Sequence, residues 1–205
     1  MKETFFTIKE KSKGLFKDKG SKFLAFAFPV QSVHQVKLHL QELKSKYHDA
    51  RHHCYAYIIG SEGEEFRSND DGEPNHSAGN SILGAIRSKN LTNVLVIVVR
   101  YFGGTKLGIR GLINAYRFSS DAALDSALII EVEIRDEITI TFPYSGTSEV
   151  MHQLNKVEVI IYEQEFKEIC IIRFGVKLKR KEGLTDKLRR LQEKGIIQSI
   201  KISPD

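Results

Sequence analysis

Three groups of residues in this sequence have the types and spacing that chemistry requires. The first is acidic, Asp70, Asp71 and Glu73 in the run NDDGEP. Carboxylates this close can hold a hard cation through oxygen or divide acid and base duty between them. The same run also carries turn chemistry at Asp71-Gly72 and at Pro74. The second group is Gly103, Gly104, Lys106, Gly108, Arg110 and Gly111, with Arg100 before it and Arg117 after it. These residues lie between an apolar run and a helical pattern, where bare backbone N–H groups and the positive end of a helix favour an anion such as phosphate. Neither the GxxxxGKS/T spacing nor GxGxxG directly after a strand is present, so no nucleotide-hydrolysing loop follows. A tight strand-to-helix crossing accounts for the same glycines equally well.

The third group holds zinc-type ligands, His48, His52, His53, Cys54 and His76. On a strand His52 and Cys54 share a face while His53 points the other way, and no second ligand pair completes a tetrahedral set. No metal or other cofactor is therefore expected. Ser77 or Cys54 beside a histidine could be drawn as a nucleophile and its base, yet no GxSxG elbow surrounds either, and no catalytic residue is assigned.

The elements that must position these groups can be read from periodicity. Thr4 to Ile8 and Lys22 to Pro29 read as strands, with a lysine-rich turn around Gly14 between them. Ser32 with Gln35 forms a capping signature for a helix whose stripe is Val33, Val36, Leu40, Leu43 and Tyr47. His52–Gly60 and Glu65–Ser68 make a hairpin. Ser77 caps a helix carrying Ile82, Leu83 and Ile86, and Val94 to Val99 is a central, doubly covered strand. A longer helix from Gly108 to about Leu128 shows small residues at Ala115, Ser119, Ala122, Ala123 and Ser126. Beyond a boundary near 135 the order is strand 137–142, helix 146–155, strand 157–165, strand 168–178, helix 183–194 and strand 196–202, which is the βαββαβ ferredoxin-like order.

Composition narrows the classes. The 205 residues are 41% hydrophobic and 28% charged, ordinary for a chain with a folded core. No run approaches the roughly 20 apolar residues a membrane span needs, and the first residues lack a signal peptide's apolar middle, so a cytoplasmic location and no membrane partner are expected. Two cysteines do not make a disulfide scaffold. The net charge of +5 leans toward an anionic partner, and the excess sits in residues 1–46, where ten lysines face only Glu3, Glu10, Asp18 and Glu42. A solvated lysine surface is the competing reading of that excess.

DDGEP, the following AG, VVRYFGGTKLG and GLINAY together resemble the core signature of the YigZ/IMPACT family, and the likeness spans essentially the whole chain. It implies an α+β protein of two domains, 1–135 and 136–205. The first would be a βαβ sandwich like a ribosomal-protein domain and domain IV of elongation factor G. The second would be ferredoxin-like and similar to domain V of that factor. Eukaryotic relatives regulate translation initiation through an added RWD domain, and no RWD-dependent partner is carried over. This sequence departs from the family pattern at His76-Ser77, Ser81 and Asn114, the last standing where relatives carry arginine. Arg110 can supply a charge one helical turn earlier.

These readings converge on a non-enzymatic RNA- or ribosome-associated factor linked to regulation of translation. Arg100, Gly103, Gly104, Lys106, Arg110 and Arg117 would form its phosphate-binding surface. Two alternatives stay open, a hydrolase using Asp70, Asp71 and Glu73, and a regulator that docks a protein partner on its ferredoxin-like sheet.

Overall fold

The computed structural model describes residues 2–203. It divides into two compact units. One spans Phe5–Val132, and the other holds Glu133 onward together with the first residues up to Thr4.

In the larger unit a five-stranded sheet has the order β2-β3-β6-β4-β5, formed by β2 (Ser12–Asp18), β3 (Ser21–Pro29), β6 (Val94–Tyr101), β4 (His52–Ile59) and β5 (Glu65–Asn69). Every neighbouring pair is antiparallel. β3 and β4 therefore run in one direction on either side of β6, joined through α1 (Val33–Lys46). Helix α1 covers one face, where Phe26, Phe28, Leu95, Ile97 and Val99 meet Val36 and Leu43. Helices α2 (Gly79–Ser88) and α3 (Gly108–Asp125) cover the other, where Phe23, Ala25, Val96 and Val98 meet Ile82, Ile86, Leu112 and Tyr116. With both faces covered, β6 is buried over Val94–Arg100, and each such large apolar side chain contributes about 1.5–3 kcal/mol. A short sheet pairs β1 (Thr4–Ile8) with β7 (Ile129–Glu133).

The second unit has strand order β11-β8-β10-β9, all antiparallel, from β8 (Arg135–Pro143), β9 (Val159–Glu165), β10 (Ile169–Lys177) and β11 (Ser199–Ser203). With α4 (Thr147–Asn155) and α5 (Leu178–Glu193) packed on one face, this is the ferredoxin-like βαββαβ arrangement. The whole chain is an α+β protein of two domains. Among the described residues no helix is long and apolar enough to cross a membrane.

Three sequence expectations need correction. Residues 12–18 are a strand, and the turn lies at Lys19 and Gly20, whose φ values of 44° and 79° suit a two-residue hairpin. The alternation is hidden because Gly14 must stay bare, since a Cβ there would stand 2.3 Å from the Ala123 amide nitrogen of α3. Helix α5 begins at Leu178, five residues ahead of expectation, because Gly183 lies inside it rather than at its start. Ser77 does not cap α2, for the reason given next.

Candidate functional site

The run at 70–74 folds into a turn whose carboxylates point inward to fixed partners. Asp71 and Gly72 both adopt positive φ, 41° and 87°, and Asn69 Oδ1 accepts the Asp71 amide at 2.8 Å. The Asp70 carboxylate then reaches the N-terminus of α2. Its Oδ1 accepts the amides of Ala78 and Gly79 at 3.0 and 2.8 Å, and its Oδ2 accepts that of His76 at 2.9 Å. Asp70 thus supplies the cap assigned to Ser77, whose hydroxyl donates instead to the Pro74 carbonyl. Burial alone would raise the Asp70 pKa, but the three amide donors outweigh it and hold the group below the ordinary carboxylate value.

Asp71 ties β4 to α1. Its Oδ2 accepts the His53 amide at 2.7 Å and its Oδ1 meets Lys44 Nζ at 3.3 Å. His52 Nδ1 lies 2.9 Å from the Asp71 carbonyl, so that nitrogen carries the proton. Burial lowers the His53 pKa against the attraction of Asp71.

Glu73 is 7% exposed and sits at the centre of a buried polar chain. Its Oε1 accepts Arg100 Nη1 at 2.6 Å and Tyr116 Oη at 2.8 Å, and Cys54 Sγ lies 3.3 Å from the same phenol. The Arg100 guanidinium lies 5.4 and 5.7 Å from the ring centres of Phe23 and Phe102. Burial pushes the Cys54 thiol well up, so it is neither an available nucleophile nor a ready metal ligand. Among the described residues no group of three or more His, Cys, Asp or Glu side chains is placed to hold a metal ion.

The glycine segment opens differently. Gly103 is pressed against the β2–β3 turn. Its amide donates to Ser21 Oγ at 3.1 Å, and a Cβ on it would lie 1.9 Å from the Gly20 carbonyl carbon. Lys17, Lys19 and Lys22 flank that turn, so this contact brings N-terminal lysines beside the glycine segment. Gly104 and Gly108 have φ of 90° and 71°, and a Cβ on either would meet nothing within 4 Å. Helix α3 begins without a side-chain cap and without an acidic residue in its first turn. The amides of that turn have no helical acceptors.

Beside this helix start lies a cleft of about 830 Å³. Arg51, His52, Arg100, Lys106 and Gly108 line it, and Tyr101, Phe102, Leu107, Ile109 and Leu112 make it apolar in part. Glu73 and Asp49 also line it, the first neutralised by Arg100 and the second accepting Tyr101 Oη at 2.7 Å. That bond raises the Tyr101 pKa to about 12. A second hollow, lined by Leu15, Lys17, Gly20, Lys22 and Leu24, shares Tyr101 and Phe102 with the first. Phe102, 57% exposed, is therefore a ridge between two basic hollows.

Of the residues singled out from sequence, His52, Glu73, Arg100, Lys106 and Gly108 meet at the cleft. Gly103, Gly104 and Arg110 are exposed in or next to the segment that borders it. Asp70 and Asp71 are taken up by backbone amides and Lys44. Arg117 is held by Asp121 at 2.9 Å and by the Ser88 hydroxyl at 2.8 Å, against α2. Sequence reasoning missed Arg51, Tyr101, Phe102 and Tyr116. A signal for two of them was present, since extending the apolar run at 94–99 by two residues gives a strand that delivers Tyr101 and Phe102 to its open end.

Residues 19–124 match the model of the Impact N-terminal domain. The IMPACT family member YvyE of Bacillus subtilis is 29% identical over 168 residues, covering 82% of this chain and 77% of the relative. An IMPACT family member of Haemophilus influenzae is 30% identical over 175 residues, covering 83% and 84%. A crystal structure of a hypothetical protein superposes with a TM-score of 0.74 at 22% identity, covering 100% of this chain and 98% of that one.

Proposed function

The chain belongs to the IMPACT family, and from that premise we propose that it is a cytoplasmic, non-enzymatic RNA- or ribosome-associated factor in the regulation of translation. The observation that carries this reading is the ridge of Tyr101 and Phe102 between two basic hollows. Arg51, Lys17, Lys19, Lys22, Lys106 and Arg110 are exposed around it. Among the described residues none of these six cations has a carboxylate partner, whereas Lys11, Lys44 and Lys89 are each paired. Cations left free beside the exposed ring of Phe102 suit a single strand, whose phosphates need charge and whose bases stack without sequence preference. The link to translation rests on what IMPACT membership implies, two domains similar to domains IV and V of elongation factor G, which is an argument from fold.

The acidic residues support this reading by what they already do. Asp70 caps a helix, Asp71 joins β4 to α1, and Glu73 balances a buried arginine, so each carboxylate has a structural task. The test is the affinity of a short oligoribonucleotide at low salt, for the unmodified protein and for a Lys106→Ala/Arg110→Ala variant. Micromolar binding that weakens about tenfold in the variant is expected, from the loss of two phosphate contacts. Equal affinity in both proteins would move the contact elsewhere, and no binding at low salt would end the RNA reading.

The open face of the ferredoxin-like sheet favours a protein partner as a second reading. Ile169 and Ile171 stand half exposed there, and Tyr162 lies over Gly175. An Ile169→Glu/Ile171→Glu variant that still captures the same protein from a lysate as the unmodified chain would remove it.

A further inference from the structure

The cleft at the start of α3 holds more donor capacity than the protein uses. The amides of Gly108, Ile109, Arg110 and Gly111 form the first turn of an uncapped helix of 18 residues. Such an end carries about half a positive charge. Arg51 and Lys106 line the same cleft and have no carboxylate partner among the described residues. Arg100 adds an independent sign. It is 7% exposed and lines the cleft, Glu73 holds only its Nη1, and its Nε has no hydrogen-bond partner. A buried donor without an acceptor is costly and calls for one.

The charges discriminate between kinds of phosphate. Two uncommitted cations and a helix end match a terminal phosphate, which approaches two negative charges near pH 7, better than a diester with one. Three terminal oxygens also use a fan of amides more fully than two. The two carboxylates of the lining are engaged, Glu73 by Arg100 and Asp49 by Tyr101 Oη, and an apolar part remains, with Phe102 and Ile109 57% and 61% exposed and Leu107 between them in sequence. The volume of about 830 Å³ falls within the range of small-molecule sites.

The geometry points to a binding site for a nucleoside phosphomonoester, carried either at the phosphorylated end of an RNA strand or by a free nucleotide. The phosphate lies on the α3 amides between Arg51 and Lys106, and the base lies against Phe102. This deepens the RNA reading and rests on it, because it makes the bound RNA an end rather than an internal stretch.

Two oligoribonucleotides of one sequence, with a 5′-phosphate and with a 5′-hydroxyl, are titrated by fluorescence anisotropy. A nucleoside monophosphate and inorganic phosphate serve as competitors. The phosphorylated strand is expected to bind at least tenfold tighter. Arg51→Ala or Lys106→Ala should erase that preference while circular dichroism shows an unchanged fold. Phe102→Ala should weaken the nucleotide at least fivefold. A monophosphate that competes at a lower concentration than the strand end assigns the site to the free nucleotide; the reverse order assigns it to RNA. Equal binding of the two strands, with no competition by the monophosphate, overturns the site and leaves the RNA reading standing. Binding of neither strand overturns both readings. Inorganic phosphate that competes as well as the nucleotide overturns the nucleoside part.

Discussion

Asp70 shows how one carboxylate can look catalytic in a sequence and act as a cap in the fold. Its partners are the amides of His76, Ala78 and Gly79. The pairing was not legible because a cap is sought at the residue before the helix, and Ser77 offered a plausible one. Asp70→Ala should cost about 2 kcal/mol, the sum of a lost cap and stranded amides. Because the folded pKa is depressed, this stabilisation is present above the unfolded value of about 3.9 and is lost as pH falls through the lower folded value. Urea unfolding at pH 7 and pH 3 checks both parts, and the variant should differ from the parent less at pH 3. Glu73 is the second case. Glu73→Ala leaves the Arg100 guanidinium buried and unbalanced, and should cost about 3–5 kcal/mol. A loss below about 1 kcal/mol in the same measurement would mean that the pair is not buried as described.

At the scale of elements, local signals and long-range contacts parted company. The Ser32 cap of α1 was legible because both partners lie within one turn, and the Ser32 hydroxyl accepts the Gln35 amide at 3.3 Å. In the reciprocal bond it is the Gln31 amide, rather than that of Ser32, that donates to Gln35 Oε1, at 2.7 Å. The apolar strand β6 was legible because both of its faces are covered. Strand β2 was not, since Gly14 answers to Ala123 on α3, far along the chain. Gly14→Ala should therefore destabilise by about 1–3 kcal/mol, as overpacking against backbone does. Gly183 is the control. It lies inside α5 with open space where a Cβ would be, so Gly183→Ala should stabilise by about 0.5–1 kcal/mol. Denaturant midpoints for the two variants should move in opposite directions.

Across the whole molecule, the two units hold separate cores, one built around Tyr116, Phe23 and Val96, the other around Phe142, Phe174 and Leu188. The ferredoxin-like order could be read from period alone, because all its strands lie within one short stretch of chain. The basic hollows could not be read, because they join residues from 15 to 112 through a contact between Gly20 and Gly103 that no local pattern announces. RNA is proposed to bind that assembled surface. The test is the affinity for a single-stranded oligoribonucleotide measured against salt concentration. With Lys17, Lys22, Arg51, Lys106 and Arg110 each meeting a phosphate, log affinity should fall linearly with log salt at a slope of roughly −3.5. An affinity that does not change with salt, or no binding at the lowest salt, would contradict it.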